Sequence, residues 1–149
     1  MSNPGNPANP GTPPDFFTRF PMRGVSSADL DAVLAESDAP PLSILFLWGR
    51  DCPNCDIAKH AILSAPPRFF WPEVRWLHDN IYDDMEMANR FSLHGIPVFF
   101  VFRGKRLMGK ITSWPGIGDF TNVIAGQIAS LPGYHPPPGR PKLTLVKAG

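Results

Sequence analysis

The chain has 149 residues, two cysteines and a formal net charge of +1. That length suits one domain with a sizeable core, and so small a net charge gives no broad field for nucleic acid or an acidic surface. No apolar run reaches the length of a membrane span, and the first residues lack the basic-then-apolar pattern of a secretory signal.

Nineteen prolines gather toward the two ends. Residues 1–14 are mostly Asn, Pro, Gly and small residues. They offer little apolar surface to bury, and a disordered tail is expected there. Residues 15–22 carry Phe16, Phe17 and Phe20, and read as an N-terminal strand or extended segment laid on the core. Ser26 or Ser27 is placed to cap a helix running to Glu36, with Leu30, Val33 and Leu34 on one face. Asp38, Ala39, Pro40 and Pro41 break it. Residues 42–48 form a run of large side chains without charge, the pattern of a strand buried on both faces.

The only two cysteines follow that strand, after Gly49, Arg50 and Asp51. Cys52 opens a helix, with Pro53 at the first helical position, where a missing N–H costs nothing. Cys55 lies nearly one turn on and faces the same way. A thiol at a helix N-terminus meets unpaired N–H groups and the positive end of the dipole, which favour thiolate. A second thiol within reach can close a disulfide, so the chemistry indicated is thiol–disulfide exchange. Half of a zinc site is one alternative, with His60, His78, His94 and His135 as the remaining candidate ligands. A pair of structural cysteines is another. The preceding strand and Pro53 argue against both. Two cysteines in one motif, with none spare for a structural bridge, suit a reducing cytosol.

The helix after Cys52 carries Ile57, Ala58, Ala61 and Ile62 at helical spacing, with Lys59 and His60 expected toward water. Pro66 and Pro67 end it, and Phe69, Phe70 and Trp71 are expected to pack over its end. Residues 74–78 read as the next strand. Asp83 or Asp84 caps a short helix to about Ser92, whose inward face is expected to hold Met85, Ala88 and Phe91. Pro97 opens a strand over residues 98–102, since a proline removes a ladder donor. Residues 103–105 turn the chain into an edge strand over 106–112, whose basic residues discourage pairing with other edges. A loop over 113–116 leads to a helix over 119–131, with Phe120, Val123, Ile124 and Ile128 inward. Residues 134–149 read as a flexible proline-rich tail. The element order is β-α-β-α-β-α-β-β-α, an α/β chain with a mixed sheet.

Trp48, Gly49, Arg50, Asp51, Cys52, Pro53, Asn54 and Cys55 together resemble the active-site segment of the thioredoxin family. Gly95, Ile96, Pro97, Val98, Phe99 and Phe100 resemble that family's cis-proline segment. Residues 102–105 resemble the start of its final hairpin. The resemblance spans residues 16–131 and implies a thioredoxin-like domain over 15–133, with a central mixed sheet flanked by helices on both faces. It also implies a cis Ile96–Pro97 bond beside the dithiol, whose free Ile96 backbone groups would pair with an extended substrate. The implied activity is thiol–disulfide exchange with disulfide-bearing client proteins, with Cys52 attacking and Cys55 resolving. Trp48, Pro53, Asn54, Ile96, Pro97 and Trp114 would line the substrate groove. A thioredoxin reductase would be a further partner. The redox-active disulfide would be the only redox group, without metal or other cofactor, in a cytoplasmic monomer.

Three departures from the family pattern stand out. Phe46 occupies the place of a buried acid, Asp51 precedes Cys52 in place of a Trp, and the central dipeptide is Pro53–Asn54 rather than Gly-Pro. A binding module or assembly chaperone with little turnover is the competing class. A glutathione-linked reductase is a third, without a clear basic clamp for glutathione in the sequence.

Overall fold

A computed structural model of the protein describes residues 11–135. Five strands form one sheet in the order β1-β3-β2-β4-β5. They are β1 (Arg23–Gly24), β2 (Leu42–Trp48), β3 (Val74–Asn80), β4 (Val98–Arg103) and β5 (Arg106–Thr112). β3 runs parallel to both β1 and β2, while β4 runs antiparallel to β2 and to β5. The sheet is therefore mixed. β2 sits at its centre, where every residue from Leu42 to Leu47 is buried.

Alternation along the strands divides the core into two. Ile44 and Phe46 of β2, Trp76 of β3 and Phe99 of β4 face one way. They meet α1 (Phe16–Arg19), α3 (Pro53–Ser64) and α5 (Ile117–Ala129) through Phe16, Ile62, Phe120 and Ile124. Leu45, Leu47, Leu77 and Phe100 face the other way. They meet α2 (Leu30–Leu34) and α4 (Met85–Arg90) through Leu30, Val33, Leu34 and Met87. Arg75 fastens α2 to the sheet, donating to Ser43 Oγ (2.9 Å), Glu36 Oε1 (2.8 Å) and Val33 O (2.7 Å).

Several elements depart from the sequence reading. Residues 15–22 hold a helical turn rather than a strand, and the first strand comes at Arg23–Gly24. Phe16 and Phe20 are four apart, which puts both rings on one face of a turn, and they stack 6.1 Å apart against the core. In α4 the inward residue is Met87, whereas Met85 is 57% exposed. The Asp84 carboxylate accepts from Ser27 N (2.8 Å) and Ser27 Oγ (2.7 Å), which sets where the helix starts and hence its phase. In α5 the buried line runs Phe120, Ile124, Ile128, and Val123 is 45% exposed. Lys59, expected toward water, is only 2% exposed.

Residues 1–10 and 136–149, most of the two expected tails, lie outside the described residues. Gly11 to Pro14 lie against α3. Thr12 Oγ1 donates to Asp56 Oδ1 (2.7 Å), His60 Nε2 donates to Gly11 O (2.8 Å), and Pro13 is buried. At the other end, Tyr134 packs against the core.

This strap predicts a difference between two truncations. A chain beginning at Gly11 keeps the Thr12–Asp56 bond, and one beginning at Asp15 loses it and opens the Asp56 carboxylate to water. The shorter chain is expected to be less stable by about 1–3 kcal/mol, the size of a hydrogen bond to a charged group. Urea melts of both check it; coincident curves would show that the strap contributes nothing.

Candidate functional site

β2 delivers the chain to the site through a turn with little freedom. A Cβ on Gly49 would come within 2.6 Å of the Tyr82 ring and 2.8 Å of the Ile96 side chain, so a larger residue would have to displace them. Arg50 pairs with Asp83 (2.8 Å) and lies over Tyr82. Asp51 takes a left-handed conformation at φ 53°. Cys52 then caps α3, and its Sγ accepts from the backbone N–H of Cys55 (3.1 Å). Cys52 and Cys55 are joined as a disulfide, with Cα atoms 5.2 Å apart. The Ile96–Pro97 peptide bond is cis, and Ile96 O lies 3.7 Å from Cys52 Sγ. Cys52 is 7% exposed and Cys55 0%, while Pro53 and Asn54 between them face solvent.

Several solved structures share this arrangement of strands and helices. A thioredoxin mutant from Halobacterium salinarum superposes with a TM-score of 0.58 at 10% identity, covering 70% of this chain and 88% of that one. Thioredoxin f2 of Chlamydomonas reinhardtii gives 0.60 at 13% identity, over 71% and 95%. Oxidised mitochondrial thioredoxin 3 of Saccharomyces cerevisiae gives 0.58 at 12% identity, over 78% and 99%. The chain has the thioredoxin fold. No family model matches the sequence, and no curated protein matches it.

Within this thioredoxin fold an aromatic and basic cluster joins α1, α3 and the ends of β2 and β3. Phe46 is fully buried and stacks on Phe99 with centroids 4.8 Å apart. Its partner across β3 is His78. Trp48 Nε1 donates to His78 Nδ1 (3.1 Å), and Phe17 stacks on the imidazole at 3.9 Å. Lys59, one turn after Cys55 on α3, places Nζ 3.8 Å from the Trp48 ring centroid, with Phe17 at 5.4 Å and Phe16 at 5.9 Å. An ammonium over ring faces is attracted by their quadrupoles. Burial lowers its pKa, which the Asp56 charge partly offsets. Burial also lowers His78 to about 4, with the Lys59 charge as second cause. His78 is thus a neutral acceptor at pH 7.

The next residue on β3 points to the opposite face. Asp79 Oδ2 is buried without a hydrogen-bond partner among the described residues. Burial, then the adjoining Asp84 carboxylate, raises Asp79 to about 8. A protonated Asp79 beside an ionised Asp84 is the state at neutral pH.

Of the residues that sequence reasoning assigned to the site, Cys52, Cys55, Ile96 and Pro97 are brought together, with Pro53 and Asn54 on the adjoining surface. Trp48 is one strand end away, held by His78 and Lys59. Trp114 is half-buried, its ring packed on Phe120 (5.2 Å), Phe99 (6.0 Å) and Phe69 (6.2 Å). Among the described residues no group of three or more His, Cys, Asp or Glu is placed to hold a metal ion. Sequence reasoning missed Lys59 and the Trp48–His78 bond. The signal for Lys59 was its spacing of four from Cys55; for His78 it was the alternation with Trp76 on one face of β3.

The cluster makes a pH prediction with a definite sign. The folded pKa of His78 lies below its unfolded value, so the unfolded chain binds the extra proton. Stability from this group is present above about pH 6.5 and is lost as pH falls toward about 4. In Lys59→Met the second cause of the depression is removed, and the imidazole should titrate at higher pH. Histidine titration by NMR in both proteins checks it; an unchanged His78 midpoint would separate the two side chains electrostatically.

Proposed function

We propose that the protein is a thiol–disulfide oxidoreductase that exchanges the Cys52–Cys55 pair with disulfide-bearing client proteins. The observation that carries this reading is the disulfide at the N-terminus of α3, with Cys52 Sγ 3.7 Å from the carbonyl of Ile96. In the reduced protein, the Cys52 thiolate attacks one sulfur of the client disulfide. An S–S bond forms between Cys52 and client, and the other client sulfur leaves as thiolate and takes a proton. Cys55 then loses its proton and attacks Cys52 Sγ. The second client thiol is released, two electrons have passed to the client, and Cys52–Cys55 is oxidised. Helix N–H groups favour the Cys52 thiolate, and the Cys55 N–H bond to Cys52 Sγ adds to them. The backbone of Ile96 offers the client a strand-like partner. An external dithiol source, a thioredoxin reductase in our reading, restores the reduced form. The use of both cysteines in one exchange motif favours the reducing cytoplasm as its compartment.

The test is reduction of insulin disulfides with dithiothreitol as electron source. Cys52→Ser is expected to abolish the catalysed rate. Cys55→Ser, reduced, freed of dithiothreitol and then mixed with insulin, is expected to accumulate a mixed disulfide on Cys52, visible as a mass increase reversed by reductant. Reduction no faster than with dithiothreitol alone, with the dithiol intact, would place the chain among binding modules.

Phe46 leaves Cys55 without a carboxylate at that position to take its proton. Phe46→Asp removes a buried ring, a loss of about 3–5 kcal/mol by analogy with Phe truncations, and installs an acid whose pKa burial raises. The variant is expected to be less stable yet to resolve a preformed Cys52 mixed disulfide faster near pH 7. Stopped-flow release of the client thiol measures it; a folded variant with no gain in rate would mean that another group serves Cys55.

A further inference from the structure

Beside the dithiol, the face of β5 on the α4 side lies open. α4 ends at Arg90 and is too short to cover the edge strand. Ile111 points into the core on the opposite face, so Lys110 and Thr112 point into the open side. Two adjoining cavities result. One of about 380 Å³ lies between residues 91–98 and Lys110, Thr112 and Ser113, and includes Ile96 and Pro97. The other, of about 510 Å³, continues along β5 to Leu107 and Phe100. They share Phe91, Ser92 and Lys110, which makes them one groove with its near end at Ile96, whose carbonyl lies 3.7 Å from Cys52 Sγ.

The groove is lopsided in charge. Its lining carries the basic side chains Arg90 and Lys110 and no Asp or Glu. Arg90 is held by Asp31 (2.7 Å), but Lys110 makes no ion pair among the described residues. Its neighbours in the groove are mixed: Phe91, Phe100 and the half-exposed Leu107 beside Ser92 and Thr112. The chain's own remaining residues do not complement this groove. Residues 1–10 carry no charged side chain, and residues 136–149 carry Arg140, Lys142 and Lys147 with no acid.

We propose that this groove docks a client polypeptide segment carrying acidic side chains near the reacting cysteine, with Lys110 as the residue that selects for them. The proposal rests on the oxidoreductase reading and adds the chemical class of its client. The groove follows β5 from Ser113 to Leu107, roughly 20 Å at about 3.3 Å per residue. The acid therefore falls within about six residues of the client cysteine. Apolar client side chains next to it cover Leu107 and Phe100.

Two disulfide-linked peptides of identical sequence, except for Glu or Lys at positions three to six from the cysteine, test this on the full chain. Neutral 2-hydroxyethyl disulfide serves as a third substrate that cannot reach the groove. The acidic peptide is expected to show a kcat/KM about three- to tenfold above the basic one at low salt, the size of a partly exposed charge interaction. The ratio should fall toward one as salt screens it. Lys110→Gln should reduce the ratio and Lys110→Glu should invert it; both changes sit on an exposed edge strand. Equal rates for the two peptides, with 2-hydroxyethyl disulfide turned over, would overturn the docking proposal and leave the oxidoreductase reading standing. No turnover of any of the three would overturn that reading, and the client with it. Concentration-dependent dimers in sedimentation that vanish in Lys110→Glu would assign the groove to a second copy of this chain and overturn the proposal.

Discussion

Both faces of β2 are buried, and the rest of the structure depends on that constraint. A strand covered on both faces and paired on both edges has no freedom of register, because a shift of one residue would exchange its two cores. Leu45 and Leu47 would change places with Ile44 and Phe46, and neither set of helices fits the other set. Trp48 therefore leaves the sheet at a fixed height and direction. Gly49 sits close against Tyr82 and Ile96, and the Arg50–Asp83 pair holds the turn after it. The position of Cys52 against Ile96 follows from packing that begins more than a nanometre away, at Leu42.

The α1 and α3 side of the sheet holds an apolar and cationic cluster. The stack of Phe46 on Phe99 fills the place between β2 and β4. Lys59 compensates for its burial with three ring faces rather than with a carboxylate at hydrogen-bonding distance. Asp56, the nearest acid on the same helix, is engaged by Thr12. The Lys59 charge, only partly offset by Asp56, adds to the burial that lowers the His78 pKa. The short N-terminal helix makes this possible, since Phe16 and Phe17 close the cluster over Lys59.

The central strand, the helix after Cys52 and β4 were legible because uninterrupted apolar runs and a proline at the first helical position leave few alternatives. β2 runs over residues 42–48 as the sequence indicates, and the order of strands and helices stands once the first strand is moved to Arg23–Gly24. The helical turn at residue 16 was hidden because eight residues with three phenylalanines satisfy either a period of two or a spacing of four. Lys59 was hidden for a different reason. A lysine beside a histidine on a helix reads as a solvated face, and only the aromatic cover arriving from α1 makes burial favourable. Met85 and Val123 were misread because an amphipathic stripe can be drawn through either of two neighbouring residues until a cap or a packing partner fixes its phase.

His78 and Asp79 are neighbours in the chain, and each is held in its uncharged form near neutral pH, one stripped of its proton and the other keeping it. The end of β3 thereby enters the sheet without formal charge although two successive side chains can ionise. Their linkages to folding run in opposite directions. Between about pH 4 and 6.5 His78 adds stability as pH rises while Asp79 removes it, and the two trends offset each other. Above that window only Asp79 still responds, so its alkaline slope is left without a counterweight. A single strand end thus acts as a buffer for the fold on its acid side and as its point of weakness on the alkaline side.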